Sequence, residues 1–487
     1  MTIITVITAP EIRDSWLDYT VQLMSHLSGL NLHLVTALEV STEGPRLYYG
    51  VQPEKSGMPF IPRCPAYAPG QMRFVSLDCG EAGMQKALVY SDTIDKAGNG
   101  VDLLFNLFAY ASCLEEWEHE RCSGPIHSYA LRLKGDGRRF DRPYANYIAL
   151  ALRQLIDQAF PGVCPPASTA GAICLTHDID VTDKVLVTRL KEGVFRLLNV
   201  GRSMATDQPM EAVGTLASAW RLATSREEYF HLETIAALEA RHGFASTFNV
   251  FAGQRPRSVS GFLLRAIFDP PYDLACHPRL VAALKRLAVQ GHEIGIHFAF
   301  DTWRDAESMQ AELQMAEGIL ETGAMVSARQ HWFRFSLVDT WRAQQQAGIE
   351  VDTTLCFTDR SGFRAGLASS FHPYDHATGQ ALDMVVIPTV LMDTHLYYYG
   401  NLSAAERRKT VRHLLGEIGV VGGEACVLWH THVFSADHGW GKDYEALLGM
   451  MKVLNLESRL VREDPGTPDK LLCPPRSCVV QVARGAA

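Results

Sequence analysis

From residue 166 onward, short apolar, β-rich runs alternate with helix-like stretches, and that rhythm leaves few architectures open. The runs fall at 172–178, 245–251, 293–297, 328–335, 351–356, 384–390 and 425–430, with helical patterns such as 278–290 and 403–416 between most of them. Strands alternating with helices build a parallel sheet. The count of seven favours an incomplete seven-stranded (β/α) barrel over an open sheet. A long, mostly helical insertion is expected at about 183–225, after the first strand.

The clearest break in the chain is the stretch 160–171, rich in Pro, Gly and small residues, which reads as a linker. Before it, a strand-like piece at 46–50 gives way to helical patterns at 103–120 and 146–158, a smaller mixed α/β unit. The expected organisation is therefore an N-terminal α/β domain at 1–160, the barrel at 166–455 and a C-terminal tail at 456–487.

Composition bounds the class of function. The chain is 47% hydrophobic and 20% charged over 487 residues, a balance that can bury large cores. A formal charge of −9 argues against a general nucleic-acid binder, whose affinity needs a basic surface. The first residues carry no basic leader and read as a buried strand, and no apolar run approaches the ~20 residues needed to span a bilayer. Eleven cysteines fall singly with no C-x-x-C pair, as buried thiols in a reducing compartment would. The expected location is cytoplasmic, with no integral membrane segment.

The polar residues gather at strand ends. The first strand closes Thr176-His177-Asp178-Ile179-Asp180, and alternation places Asp178 and Asp180 on one side. At the C-terminal rim of a barrel two such carboxylates repel unless a cation or proton separates them. One would then ligate a metal while the other acts as a base. In Gly291-His292-Glu293-Ile294-Gly295-Ile296-His297 the histidines are five apart, not the four of a helical zinc motif. On a strand they face opposite ways, so His297 is the ligand candidate and His292 a structural one. Arg329 and His331 share a face of the fourth strand, where a guanidinium would hold a carboxylate ionised. His430 and His432 close the last strand, and a histidine opposite a metal-bound water can protonate a leaving amine.

These residues, in this order, resemble the motifs of the polysaccharide deacetylase family (carbohydrate esterase family 4), over roughly residues 166–450. Thr176-His177-Asp178-Ile179-Asp180 resembles its opening D-x-D motif, Gly243–Asn249 its second strand, Gly291–His297 its metal-histidine motif, Arg329-Gln330-His331 its arginine motif and Leu428-Trp429-His430 its final motif. Gly362-Phe363-Arg364-Ala365-Gly366 and Leu114-Glu115-Glu116 further resemble a bacterial subgroup that carries an N-terminal domain of unknown function.

The resemblance implies a metal-dependent carbohydrate deacetylase, acting on amide rather than peptide bonds and using a divalent metal, first of all Zn2+. It implies Asp178 as general base, Asp180 and His297 as metal ligands, Arg329 as the residue orienting Asp178, and His430 as general acid. The family's second metal histidine would lie four residues after His297, where this chain has Asp301. His331 and Asp301 are therefore both candidates for the third ligand, with His331 preferred. Trp332, Arg364 and Trp429 are the expected substrate-binding residues. Two other functions stay open: hydrolysis of a non-sugar amide or cyclic imide, and a degenerate barrel that only binds glycans or proteins. The expected partner is a carbohydrate, with oligomeric state unassigned.

Overall fold

The first strand of the barrel, Ala172–Ile179, is buried at every position, as a parallel strand covered on both faces must be. The computed structural model describes residues 2–37, 44–52, 58–64, 67–68, 71–94, 100–124, 140–166, 170–184, 193, 225, 227–253 and 268–462. The insertion expected at 183–225 lies outside the described residues apart from 183–184, 193 and 225.

In the N-terminal part, β1 (Ile3–Thr8), β2 (Asn31–Thr36), β3 (Arg46–Gly50) and β4 (Phe60–Pro62) form a parallel sheet in the order β2-β1-β3-β4. A hairpin of β5 (Met72–Asp78) and β6 (Met84–Tyr90) packs on helix Tyr144–Ala159, which in turn lies against helices Ser15–Ser28 and Leu103–Ala111. The helical pattern at 103–120 is two helices rather than one. Cys113 takes a left-handed conformation (φ 49°) and breaks Leu103–Ala111 from Leu114–Ser123.

The barrel begins with β7 (Ala172–Ile179), β8 (Thr247–Val250), β9 (Glu293–Phe298), β10 (Ser327–Gln330) and β11 (Val351–Asp352). A small hairpin, β12 (Tyr374–Asp375) and β13 (Gln380–Ala381), stands apart. Then follow β14 (Val385–Val386), β15 (Thr389–Met392), β16 (Glu424–Leu428) and β17 (Glu457–Arg459). The sheet runs β14-β11-β10-β9-β8-β7-β16-β15, all parallel, and β17 pairs with the start of β7. The expected strand at 384–390 is therefore two strands at opposite ends of this order, separated by Ile387 and Pro388. Proline has no N–H for a ladder and breaks the run there. Because adjoining residues supply both ends, the sheet must curl round on itself. This is an incomplete (β/α) barrel, with eight strands in the curled order and β17 beside β7 where seven strands were expected. The residues from 456 open with β17 as part of this sheet rather than as a tail.

Local chemistry explains where the covering helices start and stop. Ala404–Val421 begins in a reciprocal cap between Ser403 and Glu406 and ends at left-handed Gly422 (φ 59°). Pro278–Val289 starts with proline at a position that needs no N–H donor. One contiguous buried apolar cluster runs from Ile4 and Leu47 in the N-terminal part to Leu447 and Leu456 in the barrel. No described helix is long and apolar enough to cross a membrane. Nine described cysteines are free thiols.

Candidate active site

At the C-terminal ends of β7, β9, β10 and β16 the chain places Asp178, Asp180, His297, His331 and His430 around one cleft of about 160 Å³, with Arg329 buried behind Asp178. Strand alternation aims Asp178 inward and buries its neighbour His177 behind the sheet. Asp178 Oδ1 accepts hydrogen bonds from Arg329 Nη1 at 3.0 Å and Asn249 Nδ2 at 2.8 Å. Neither bond falls on Oδ2, which lies 3.9 Å from His297 Nε2. Arg329 is fully buried and also donates to Thr176 Oγ1, Thr389 Oγ1 and the Thr353 carbonyl. These bonds leave the guanidinium little freedom. Burial pushes the Asp178 carboxyl up, but Arg329 and then His297 and His430 outweigh it and hold the group below the usual carboxylate range.

Asp180 sits among three imidazoles. Its Oδ1 is 3.3 Å from His297 Nε2 and 3.6 Å from His331 Nε2, and its Oδ2 is 3.4 Å from His430 Nε2. Burial opposes its charge, yet His331, His297 and His430 together hold it well below the usual range. Asp180 Oδ1, His297 Nε2 and a nitrogen of His331 lie within 4.8 Å of one another. Asp180 Oδ1 and His297 Nε2 are buried without a hydrogen-bond partner. The other nitrogen of each ring faces an acceptor: His297 Nδ1 the Arg329 carbonyl at 3.1 Å, and His331 Nδ1 Asp269 Oδ1 at 3.4 Å. That outer pairing turns both Nε2 lone pairs inward, which is how metal-binding histidines are held. One carboxylate and two imidazoles suit zinc and similar divalent ions. The residues fit the ion that the sequence implied.

His430 is oriented from behind. Its Nδ1 lies 2.9 and 3.1 Å from the two oxygens of Asp393, which also accepts the His430 backbone N–H at 2.7 Å. The Nε2 proton then points toward Asp180 and the cleft. Burial lowers the His430 pKa, but Asp393, Asp180 and Asp178 raise it to about 10. Asp180 and Asp269 likewise lift His331 to about 9 against its burial. A cation sharing the Asp180 charge would pull both back down.

Sequence reasoning missed Asp269, Asp393 and Thr389, and it quoted Thr176 and Asn249 within motifs without giving them a part. Asp393 follows the last residue of β15, so a rule that inspects every strand end would have found it. Asp269 lies beside no described strand end, so that rule would not have found it.

Four expectations need correction. Asp301 stands away from the ligand cluster: its side chain is 58% exposed and its Oδ1 takes a hydrogen bond from Arg334 Nη1 at 2.9 Å. The family pattern that suggested it counts four residues on from His297, but β9 ends at Phe298 and the turn that follows carries Asp301 out to Arg334. Arg364 does not line the cleft. It is buried and donates to Glu116 Oε2 from Nε at 3.1 Å and Nη2 at 2.9 Å. Trp429 is fully buried against Tyr444, because alternation on the way to His430 turns it outward. The expected strand at 328–335 stops at Gln330, and His331–Phe333 form a 3-10 turn with Trp332 at φ 59°. That turn brings Trp332 into the cleft wall, with Phe268, Phe333, Met392, Tyr398, Tyr399 and Leu428.

His292 faces away from the cleft, and its Nδ1 accepts the Ser246 backbone N–H at 3.2 Å. Behind the cleft side of β7, His177 Nδ1 meets the Trp429 carbonyl at 2.6 Å and Nε2 meets Glu239 Oε1 at 2.8 Å. This fully buried link ties β7 to the peptide that carries His430.

No family model matches the chain, and no curated protein does. Solved structures similar to it include the following three. One is a Mycobacterium smegmatis protein assigned as a polysaccharide deacetylase, at 13% identity and a TM-score of 0.34, covering 60% of this chain and 88% of its own. The second is a polysaccharide deacetylase from Bacillus cereus, at 10% identity and a TM-score of 0.31, covering 62% of this chain and 100% of its own. The third is Agd3, described as a novel carbohydrate deacetylase, at 10% identity and a TM-score of 0.32, covering 94% of this chain and 85% of its own.

Proposed function

We propose that this protein is a metal-dependent hydrolase that removes N-acetyl groups from a carbohydrate. The observation that carries the reading is the convergence of the Asp180, His297 and His331 cluster with two differently tuned groups, an Arg329-held Asp178 and an Asp393-held His430. Two titratable groups whose surroundings push them apart make an acid and base pair.

Asp180, His297 and His331 would hold the divalent ion, which when bound polarises the acyl carbonyl and lowers the pKa of its water. Asp178 is kept ionised by Arg329 and receives the water proton at Oδ2, the oxygen its structural hydrogen bonds leave clear. His430 gives its Nε2 proton to the departing amine, and Asp393 holds the ring in the tautomer that this requires. Trp332, Tyr398 and Tyr399 supply aromatic faces of the kind that stack on sugar rings, and Phe333, Met392 and Leu428 give the acyl group an apolar wall. These contacts support a sugar ring with a short acyl substituent.

The deciding experiment is metal analysis by mass spectrometry beside acetate release from N-acetylated oligosaccharides. The expected result is about one divalent ion per chain and hydrolysis that needs it. Protein that takes up no ion on reloading, or whose Asp178→Asn variant keeps full acetate release, would overturn the reading.

A further inference from the structure

The five residues Gly362–Gly366 are the seam where the N-terminal part is built into the barrel. A Cβ on Gly366 (φ 62°) would stand 2.5 Å from the Tyr110 ring, and one on Gly362 (φ 141°) 2.6 Å from the Phe140 carbonyl. Between these close approaches, Phe363 N donates to the Phe140 carbonyl at 2.8 Å and Ala145 N to the Gly366 carbonyl at 2.9 Å.

Two acids on helix Leu114–Ser123 reach further in. Glu116 holds Arg364, whose Nη1 donates to the Cys356 carbonyl at 2.8 Å on the loop after β11. The same guanidinium lies 5.4 Å from the ring of Phe335 and 5.7 Å from that of Phe357, one on each of the two loops after β10 and β11. Glu120 accepts the Leu337 backbone N–H at 2.9 Å and the Ser336 hydroxyl, both just beyond the turn that carries Trp332 and Phe333. Thr358, two residues past Cys356, lines the cleft and donates to the Trp332 carbonyl at 3.4 Å.

We propose that this helix is a brace for the substrate cleft: Glu116 and Glu120, with Arg364, are positioning residues that set the loops bearing Trp332, Phe333 and Thr358. The N-terminal part is then a structural member of the site, not a separate binding module. A buried ion pair is no better for stability than well-packed apolar side chains, so its value lies in fixing one arrangement. The part of the proposal that concerns substrate rests on the deacetylase reading, whereas the bracing itself does not.

The test compares full-length wild type with Glu116→Gln, Glu120→Gln, the double variant and Arg364→Lys, first by hydrogen exchange. Residues 331–337 and 354–358 should exchange roughly tenfold faster in the double variant, the effect of losing charge-assisted bonds, with β7 unchanged. Arg364→Lys keeps the charge but not the fork, and should fall between. If the double variant does not fold, the single variants carry the same comparison. Unchanged exchange in these loops, or an even rise across the barrel, overturns the brace.

Kinetics then tests the substrate side, with a tetramer of N-acetylglucosamine as probe. KM should rise about fivefold while kcat stays within about twofold and zinc content is unchanged. An unchanged KM overturns the positioning role. Wild-type protein that releases no acetate sinks the deacetylase reading instead, and the exchange result still decides the brace.

Discussion

Asp178 and Asp180 are two residues apart, yet the structure gives them different surroundings. Asp178 spends one oxygen on Arg329 and Asn249, whereas Asp180 leaves a buried oxygen unpartnered among imidazoles. Asp178→Asn should therefore retain the bound ion and lose about 10²- to 10⁴-fold in kcat, read by acetate release beside metal content. His297→Ala and His331→Ala should each lose the ion. Asp301→Ala, which breaks only an exposed pair with Arg334, should keep it. A loss of metal in Asp301→Ala would redraw the ligand set. Asp393→Asn should retain the ion but slow the step that protonates the leaving amine, and the deficit should shrink for an activated acetyl ester whose leaving group needs no proton. The side chains were legible as candidates because strand alternation predicts which of them share a face. Asp269 was not legible, since it stands 62 positions from the His331 it meets and beside no described strand end.

At the scale of elements, each of the seven expected runs holds a strand of the sheet, because a parallel strand covered on both faces favours buried apolar residues, but 384–390 holds two and β17 was not foreseen. Their lengths were less legible. The run at 328–335 reads as strand throughout, but Trp332 and Phe333 take positive φ and end it at the cleft. Such values are unfavourable for aromatic residues, and tertiary contacts must supply the difference. The glycines of the seam are a sharper case. Gly366→Ala should destabilise the protein by about 1–3 kcal/mol, from its left-handed backbone and the overlap with Tyr110, as measured by urea unfolding. Full stability in that variant would mean that the seam yields more readily than its close contacts imply.

For the whole molecule, the apolar cluster that runs from the N-terminal sheet into the barrel predicts one cooperative thermal transition for full-length protein. Calorimetry showing two separated transitions would mean that the two parts melt independently. The N-terminal part also carries a pH signature. Asp102 caps helix Leu103–Ala111 and accepts bonds from Phe105 N, Cys64 N and the Tyr49 hydroxyl, but burial raises its pKa to about 6. An unfolded carboxyl of this type titrates near ~3.9, so the folded state binds this proton more tightly. Its contribution is fully present below about pH 4 and is lost as pH rises through 6. Urea unfolding at fixed pH should show the slope over that window flattened in Asp102→Asn.

The chain's own pattern determined the architecture and the inventory of reactive groups. Periodicity and strand-end polarity are local properties, written in the order of residues and independent of what lies across the molecule. Tertiary structure decided the rest: that His331 and not Asp301 joins Asp180 and His297, that Asp393 stands behind His430, and that Arg364 pairs with Glu116 away from the cleft. Each of these depends on distances between residues far apart in the chain. Curling the sheet brings them together, and only the packing of the whole chain sets how closely they approach.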